Sequence, residues 1–321
     1  MNMRRLVFAI VILTGVLFTA CNRSNRTRIG VVPKAVAHVF WQSVHAGAVA
    51  AAREADVDIE WKGPPQETDF SRQIEIVDSM INARLDGIVM APTEPTALVA
   101  VVERAAREGI PLTIFDSGIN TENYVSFVST NNYQAGVLAA KKLAEILGSQ
   151  GKIAVVKMIP GSASTTQREK GFEDTLSKEF PDIQIVAEQF CMSDRAKALA
   201  VAENMLTAHP DLDGMFGSAE PATVGVAQAL KSRSMDGKIK FVGFDFSDSI
   251  EKDLKSGAID ALVVQDPFKI GYEAVKTVLA KLNGQTPEKR IDSPATVVTV
   301  EDLSRPEIDA LLHTDLSKYL D

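Results

Sequence analysis

The sequence predicts an α/β protein of two similar three-layer, Rossmann-like lobes, each a parallel sheet flanked by helices. Short β-branched runs alternate with amphipathic helical patterns from Arg28 onward, as crossover connections between parallel strands require. The chain also repeats itself in order. Ile29-Gly30-Val31-Val32, Leu85-Asp86-Gly87-Ile88-Val89 and Ile114-Phe115-Asp116 return as Ile153-Ala154-Val155-Val156, Leu212-Asp213-Gly214-Met215-Phe216 and Gly243-Phe244-Asp245, at offsets of 124, 127 and 129 residues. Small loop insertions leave such a drift between two copies of one domain. Finally, each copy ends a central strand on an aspartate. Open parallel sheets bind ligands beyond the carboxyl ends of their strands, so Asp116 and Asp245 are expected on opposite walls of one cleft.

The elements follow in order. Residues 1–20 read as an export signal: Arg4 and Arg5, the apolar run Leu6 to Leu17, then Thr19-Ala20 before Cys21. The run is short for a membrane span, which needs about 20 apolar residues. Strands are expected at Ile29 to Val32, Val57 to Trp61, Gly87 to Met90, Pro111 to Phe115 and Val125 to Val128. Between them, Val44, Ala48, Ala51, Ala52 and Ala55 share one helical face, as do Ile74, Val77, Ile81 and Leu85. The second lobe repeats the plan with strands at Ile153 to Val156, Ile183 to Ala187, Gly214 to Phe216, Lys240 to Gly243 and Ala261 to Val264. After Gln265 come a helix over Ile270 to Leu282, a turn at Gly284 to Pro287 and a strand over Ala295 to Val300. This coda predicts three crossings between the lobes, near Ser129 to Asn132, Val264 to Pro267 and Asp292 to Ala295. One lobe then comprises residues 28–130 plus 266–294, and the other 131–265 plus 295–321. Three short crossings make a hinge.

Charge and composition exclude several functions. Without residues 1–20 the chain carries 32 Lys and Arg against 42 Asp and Glu, a formal charge of −10. Nucleic-acid binding depends on clustered basic residues, and the chain offers only short pairs such as Lys141-Lys142. His38, His45, His209 and His313 have no ligand-like spacing to cysteine, so no metal site is expected. Cys191 reads as a small apolar filler. No Gly-x-Ser-x-Gly elbow and no phosphate-cradling glycine loop occurs. Gly161 to Thr166 precedes a helix and is expected to cap it, an anion at that N-terminus being the alternative. No cofactor and no catalytic residue is expected.

The small residue before Cys21 resembles a lipoprotein signal, in which the cysteine is lipidated and anchors the mature protein to a membrane. Phe18 stands where that signal usually has leucine, and cleavage by ordinary signal peptidase remains the alternative. Over the rest of the chain, several stretches resemble the periplasmic sugar-binding proteins of ABC transporters, the ribose-binding cluster in particular. They are Ile29 to Val32 with Phe40-Trp41, Ala91-Pro92-Thr93, Ile114-Phe115-Asp116, Thr130-Asn131-Asn132, Arg168 with Gly171-Phe172, Leu206 to Asp211, Val242 to Asp245, and Gln265-Asp266-Pro267.

The resemblance implies a type I periplasmic binding protein fold, with no enzymatic activity. Its function would be capture of a small sugar or polyol for an ABC permease, by a monomer in the periplasm or at the cell surface. It places ring-stacking aromatics at Phe40 and Trp41, of which at least one is expected to face the ligand, since neighbours at a helix start point in different directions. It places hydroxyl-binding carboxylates at Asp116 and Asp245, and a hinge glutamine at Gln265. Where the ribose pattern has other residues, this chain has His38, Ala91, Ser117, Thr166 or Gln167, and Ala219 beside Glu220. Of these, His38, Ser117, Thr166, Gln167 and Glu220 complete the expected ligand-binding set with Arg168, and the departures imply a ligand held differently from ribose. Lys34, with Gly63-Pro64-Pro65, resembles a rhamnose- and autoinducer-binding subgroup, with a solvated loop lysine as its alternative role. Two rival readings share the fold. A lactose-repressor-type regulator would need a helix-turn-helix where the export signal stands, and a sugar- or quorum-sensing module for a chemoreceptor or kinase would use the same cleft.

Overall fold

The structure, a computed structural model, describes residues 26–36 and 38–320. The expected export signal and Cys21 lie outside the described residues. The first sheet holds β1 (Arg28–Val32), β2 (Asp58–Trp61), β3 (Gly87–Met90), β4 (Leu112–Phe115), β5 (Phe127–Thr130) and, from far along the chain, β11 (Arg290–Ser293). The second holds β6 (Gly151–Lys157), β7 (Ile183–Phe190), β8 (Gly214–Gly217), β9 (Lys240–Phe244), β10 (Ala261–Val264) and β12 (Thr296–Val298). Their spatial orders, β11-β5-β4-β3-β1-β2 and β12-β10-β9-β8-β6-β7, map onto one another strand for strand.

Helices α1 (Val39–Ala55) and α9 (Pro267–Leu282) cover one face of the first sheet. On the other lie α2 (Phe70–Asn82) and α3 (Val99–Arg107). The second sheet carries α4 (Asn132–Leu147) and α5 (Ala163–Glu179) on one face. Its opposite face holds α6 (Arg195–Ala208), α7 (Glu220–Ser232), α8 (Asp248–Lys255) and α10 (Pro306–Leu312). The central strands are buried along their whole length, which is why they read as continuous apolar runs and not as alternating ones. Local chemistry sets the helix starts. Asp69, Asn131, Asp194 and Asp266 each accept a bond from the backbone amide three residues on.

Two features depart from expectation. β11 was not foreseen, because Arg290-Ile291-Asp292-Ser293 is a polar edge strand with one apolar residue and no periodic signature. β12 pairs antiparallel with β10, while every other pairing is parallel. The reason is directional. β11 runs with its sheet toward the gap between the lobes, and only Pro294 and Ala295 separate it from β12. A strand entering the second lobe from the gap runs against strands that end there, and so short a link cannot make a parallel crossover.

The chain passes between the lobes after β5, after β10 and between β11 and β12. The first two crossings lead into α4 and α9, and each of these helices meets a partner at a glycine pair. A Cβ on Gly47 would stand 1.9 Å from the Phe268 carbonyl oxygen, and one on Gly271 2.1 Å from that of Val44. In the second lobe a Cβ on Gly136 would stand 1.9 Å from the Arg168 carbonyl oxygen, and one on Gly171 2.1 Å from that of Tyr133. The backbones of α1 with α9, and of α4 with α5, are therefore as close as hydrogen alone permits. α5 is also fastened to the sheet by Glu169, whose Oε1 accepts from the Met158 amide at 3.0 Å and the Ser218 hydroxyl at 2.8 Å, just past β6 and β8. Burial pushes the Glu169 carboxyl up from its ordinary value, against those two bonds.

Two outcomes are expected. Gly47→Ala and Gly136→Ala, which overlap backbone that cannot swing aside, should each destabilise by about 1–3 kcal/mol in urea unfolding. Gly118→Ala, whose new methyl would meet only Phe127 ring atoms at 3.8 Å, should be close to neutral. Glu169→Gln keeps the Oε1 acceptor and removes a charge that burial disfavours. A carboxyl with a raised folded pKa supports the fold below its unfolded pKa and loses that support as pH rises through the folded value. The melting-temperature difference between variant and wild type should therefore be more favourable to the variant at pH 8 than at pH 4. An equal difference at both would mean that Glu169 carries no such penalty.

Candidate ligand-binding site

Residues just past the carboxyl ends of β1, β4, β6, β8, β9 and β10 line the gap between the lobes. Asp116 follows β4 and Asp245 follows β9. Both sit in the left-handed region, at φ 58° and φ 68°, where aspartate is among the few side chains often found and where strain clusters at functional sites. The repeat thus extends to backbone conformation. The two carboxylates are held differently. Asp116 Oδ2 lies 2.9 Å from Lys34 Nζ and accepts from the Ser164 hydroxyl at 3.5 Å. Asp245 Oδ1 accepts from Gln265 Nε2 at 2.7 Å, and Oδ2 from the Glu220 amide at 3.1 Å. Burial pushes the Asp245 carboxyl up, opposed by the charge of Arg168.

Arg168 is the buried cation of the cleft. Its Nη2 donates to Asn132 Oδ1 at 2.8 Å, its Nη1 to the Ser218 carbonyl at 2.6 Å, and the guanidinium carbon lies 3.5 Å from the centre of the Phe244 ring. Burial lowers its pKa, and the Asp245 and Asp116 charges oppose that fall. Lys34 is a second buried cation. Its ammonium leaves the first lobe to donate to Ser164 Oγ at 2.8 Å and Ser162 Oγ at 3.2 Å in the second, so it is no solvated loop lysine. Ser162 occupies the N-cap position of α5 but makes no cap bond. The expected helix cap is corrected here, since that hydroxyl accepts from Lys34 instead.

The other expected residues separate into those that wall the cleft and those that do not. His38, Phe40, Trp41, Glu220 and Gln265 line it with Lys34, Asp116, Arg168 and Asp245. Phe40 and Trp41 both line it. Their rings meet edge to face at 4.9 Å, so adjacent residues turn different parts to the same space. His38 Nε2 lies 3.1 Å from Ser193 Oγ across the gap, and Glu220 pairs with Arg195, burial pushing the Glu220 carboxyl up. Ser117 is buried as an interlobe contact, its Oγ accepting from the Ser164 amide at 3.0 Å. Thr166 and Gln167 are exposed. The reason is helical geometry: Ser164, Thr165 and Arg168 share the inward face of α5, and positions two and three beyond Ser164 turn away.

Sequence reasoning missed Glu67, whose Oε1 accepts from Trp41 Nε1 at 3.0 Å and fixes the indole. Its one signal was its place just after Gly63-Pro64-Pro65. Thr165 was missed as well. Its hydroxyl and Gln265 Oε1 are buried at the cleft wall without a protein hydrogen-bond partner, which in a native fold calls for an explanation such as a ligand or water. Cys191 is a buried thiol pushed up to about 11 by burial, an inert filler. Among the described residues no group of three or more His, Cys, Asp or Glu could hold a metal ion, and no helix is long and apolar enough to cross a membrane. The space between the cleft walls is about 40 Å³, room for a few waters but far below the 300 Å³ or more of ordinary small-molecule sites.

Carboxylates, a guanidinium, aromatic rings and unpartnered hydroxyl and amide oxygens can together hydrogen-bond and stack a polyhydroxylated ring; nothing in the set is arranged to break bonds. Comparison with known proteins agrees. The family model for the periplasmic binding protein domain matches residues 29–286. The D-ribose/D-allose-binding protein of Pseudomonas aeruginosa is 30% identical over 90% of this chain and 97% of its own length. The ribose import binding protein of Bacillus subtilis is 27% identical over 92% and 99%. Among solved structures, a carbohydrate-transporter solute-binding protein of Agrobacterium radiobacter in complex with D-arabinose is 34% identical, covers 90% of this chain and 99% of its own, and superposes with a TM-score of 0.87. An ABC-transporter solute-binding protein of Agrobacterium vitis with bound D-fucose is 35% identical, covers 89% and 100%, and has the same TM-score, 0.87. The chain belongs to the periplasmic binding protein domain family, a family that binds and does not catalyse, and it has that family's type I fold.

Proposed function

We propose that the protein captures a small neutral sugar or polyol between its lobes outside the cytoplasmic membrane and hands it to an ABC permease. The observation that carries this reading is the pair of strand-end aspartates, Asp116 and Asp245, turned into one cleft from two lobes by the same left-handed backbone. Each carboxylate accepts charge-assisted bonds from hydroxyls, about twice as strong as neutral ones. Phe40 and Trp41 supply apolar faces for the C–H side of a ring. Gln265 Oε1 and Thr165 Oγ1 await partners, while Lys34, His38, Arg168 and Glu220 complete the wall, with Glu67 behind Trp41. Two buried cations against Asp116, Asp245, Glu67 and Glu220 favour an uncharged ligand over a sugar acid.

The relatives point the same way, since those named above are sugar-binding proteins of transport systems. On this reading the lobes are 28–130 plus 266–294 and 131–265 plus 295–321. They work as a monomer without nucleic acid and swing on the crossings near Thr130, Gln265 and Pro294. Swinging is required, because 40 Å³ does not admit a monosaccharide in this closed arrangement. Residues 1–20 act as an export signal, and Cys21 carries lipid that tethers the mature protein to a membrane.

The test is a thermal-shift screen of the mature chain against monosaccharides, polyols and sugar acids, followed by calorimetric titration of the best ligand. A ligand at 100 times its Kd should add about 2.7 kcal/mol of stability. Hydrogen bonds to charged groups are worth about 1.5–3 kcal/mol, so Asp116→Ala and Asp245→Ala should each weaken binding about ten- to a hundredfold and leave the apo fold intact. Small-angle scattering of the wild type should show a smaller radius of gyration with ligand. Unaltered affinity in both variants would make the aspartates structural. For the anchor, Cys21→Ser should release the protein from membranes into the soluble extracytoplasmic fraction, and membrane retention equal to wild type would remove lipidation from the account.

A further inference from the structure

Beside the cleft, on the side of the Gln265 to Phe268 crossing, lies a second cavity of about 360 Å³. This is nine times the space in the cleft itself and falls within the range of small-molecule sites. Three pieces build it: the start of α1, the turn from Asp245 into α8, and the C-terminal stretch 311–316. Phe40, Phe246, Phe268, Leu311, Leu312 and Leu316 form an apolar wall, and every one of them is only half-buried. Covering such surface is favourable.

Around this wall stand Asp248, Asp266 and Asp315, and no lysine or arginine lines the cavity. Asp248 makes no ion pair among the described residues, Asp266 uses one oxygen to cap α9, and Asp315 has Lys318 at 3.6 Å. His313 is taken up by Asp309 at 2.9 Å and Glu251 at 3.4 Å. A different observation points to a donor on the occupant. Gln265, 6% exposed, borders this cavity as well as the cleft, and its Oε1 has no partner.

We propose that this cavity is a second binding site, for a small organic cation with an apolar body, such as an aryl- or alkylammonium ion. Phenyl faces attract cations through the ring quadrupole, the aspartates supply the matching charge, and Gln265 Oε1 can accept an N–H. An anion would face the aspartates with no lysine or arginine to offset them, and a bare sugar would leave the leucines and phenyl rings poorly used. The site shares Phe40, Asp245 and Gln265 with the cleft wall, and Gln265 Oε1 is open to an N–H only when no sugar hydroxyl holds it, so the probe titrations use no sugar.

The probes are benzylamine, benzyl alcohol and benzoate, three molecules of one shape and three charges, titrated into the mature protein by thermal shift. Benzylamine should stabilise at about two- to thirtyfold lower concentration than benzyl alcohol, and benzoate should do nothing. Ser43→Leu, which fills the cavity from α1, should abolish the benzylamine response. A sugar response retained in that variant would show that the cleft still works. Should Ser43→Leu fail to fold, exposed Asp248→Asn decides alone: it should narrow the gap between amine and alcohol and leave the alcohol unchanged. No shift with any probe, a benzoate response equal to that of benzylamine, or an unchanged gap in Asp248→Asn would overturn the proposal.

Discussion

The cleft is organised around one buried guanidinium. Arg168 gives its hydrogen bonds to neutral oxygens, Asn132 Oδ1 and the Ser218 carbonyl, and lies flat on Phe244. Its compensation thus comes from dipoles, a ring face and the nearby fields of Asp116 and Asp245. Removing a charge from water costs several kcal/mol unless such partners are in place. The three partners sit at the start of α4, past the end of β8 and at the end of β9. Arg168 therefore ties a hinge helix to two strand ends of the second lobe, and a shift of any of them would leave the cation uncompensated. Lysine could not do this, because the work needs a planar fork that also stacks.

Against that fixed charge, the internal repeat acquires meaning. The duplicated lobes keep what backbone geometry demands. Each has a left-handed aspartate after its fourth strand and a glycine pair where the entering helix crosses its neighbour. They diverge in what holds each carboxylate. Asp116 is held by Lys34, which reaches across the gap to Ser162 and Ser164, whereas Asp245 is held within its own lobe by Gln265 and the Glu220 amide. A symmetric scaffold so becomes an asymmetric site.

Much of this was legible in the sequence, and the limits have physical causes. Buried parallel strands announce themselves as apolar runs, and duplicated strand ends exposed both aspartates. Edge strand β11 left no signal because its side chains are polar. Helix phase was the second limit. Near Arg168 the expectation fell on Thr166 or Gln167 and passed over Thr165, because only the start of α5 at Ala163 decides which of the three turns inward. Long-range pairings were the third. That Glu67 would meet the Trp41 indole, or that Lys34 would take the Ser162 hydroxyl from its capping role, depends on loops brought together by the fold, and no local spacing encodes it.

The interlobe bonds also constrain how binding and closure are coupled. Lys34 to Ser162 and Ser164, Ser117 to the Ser164 amide, and His38 to Ser193 all span the gap. In the proposed opening these groups would meet water, which would replace each bond, so their net contribution to closure would be about 1 kcal/mol apiece or less. Buried charge works against them, since closing the cleft desolvates Asp245 and Glu220, whose carboxyls burial already pushes up. On the proposed capture reading, closure near balance would need only a ligand whose hydroxyls satisfy Gln265 Oε1, Thr165 Oγ1 and the remaining carboxylate lone pairs to tip it. On that reading the same balance would keep the lobes from sealing so firmly that the ligand could not be released.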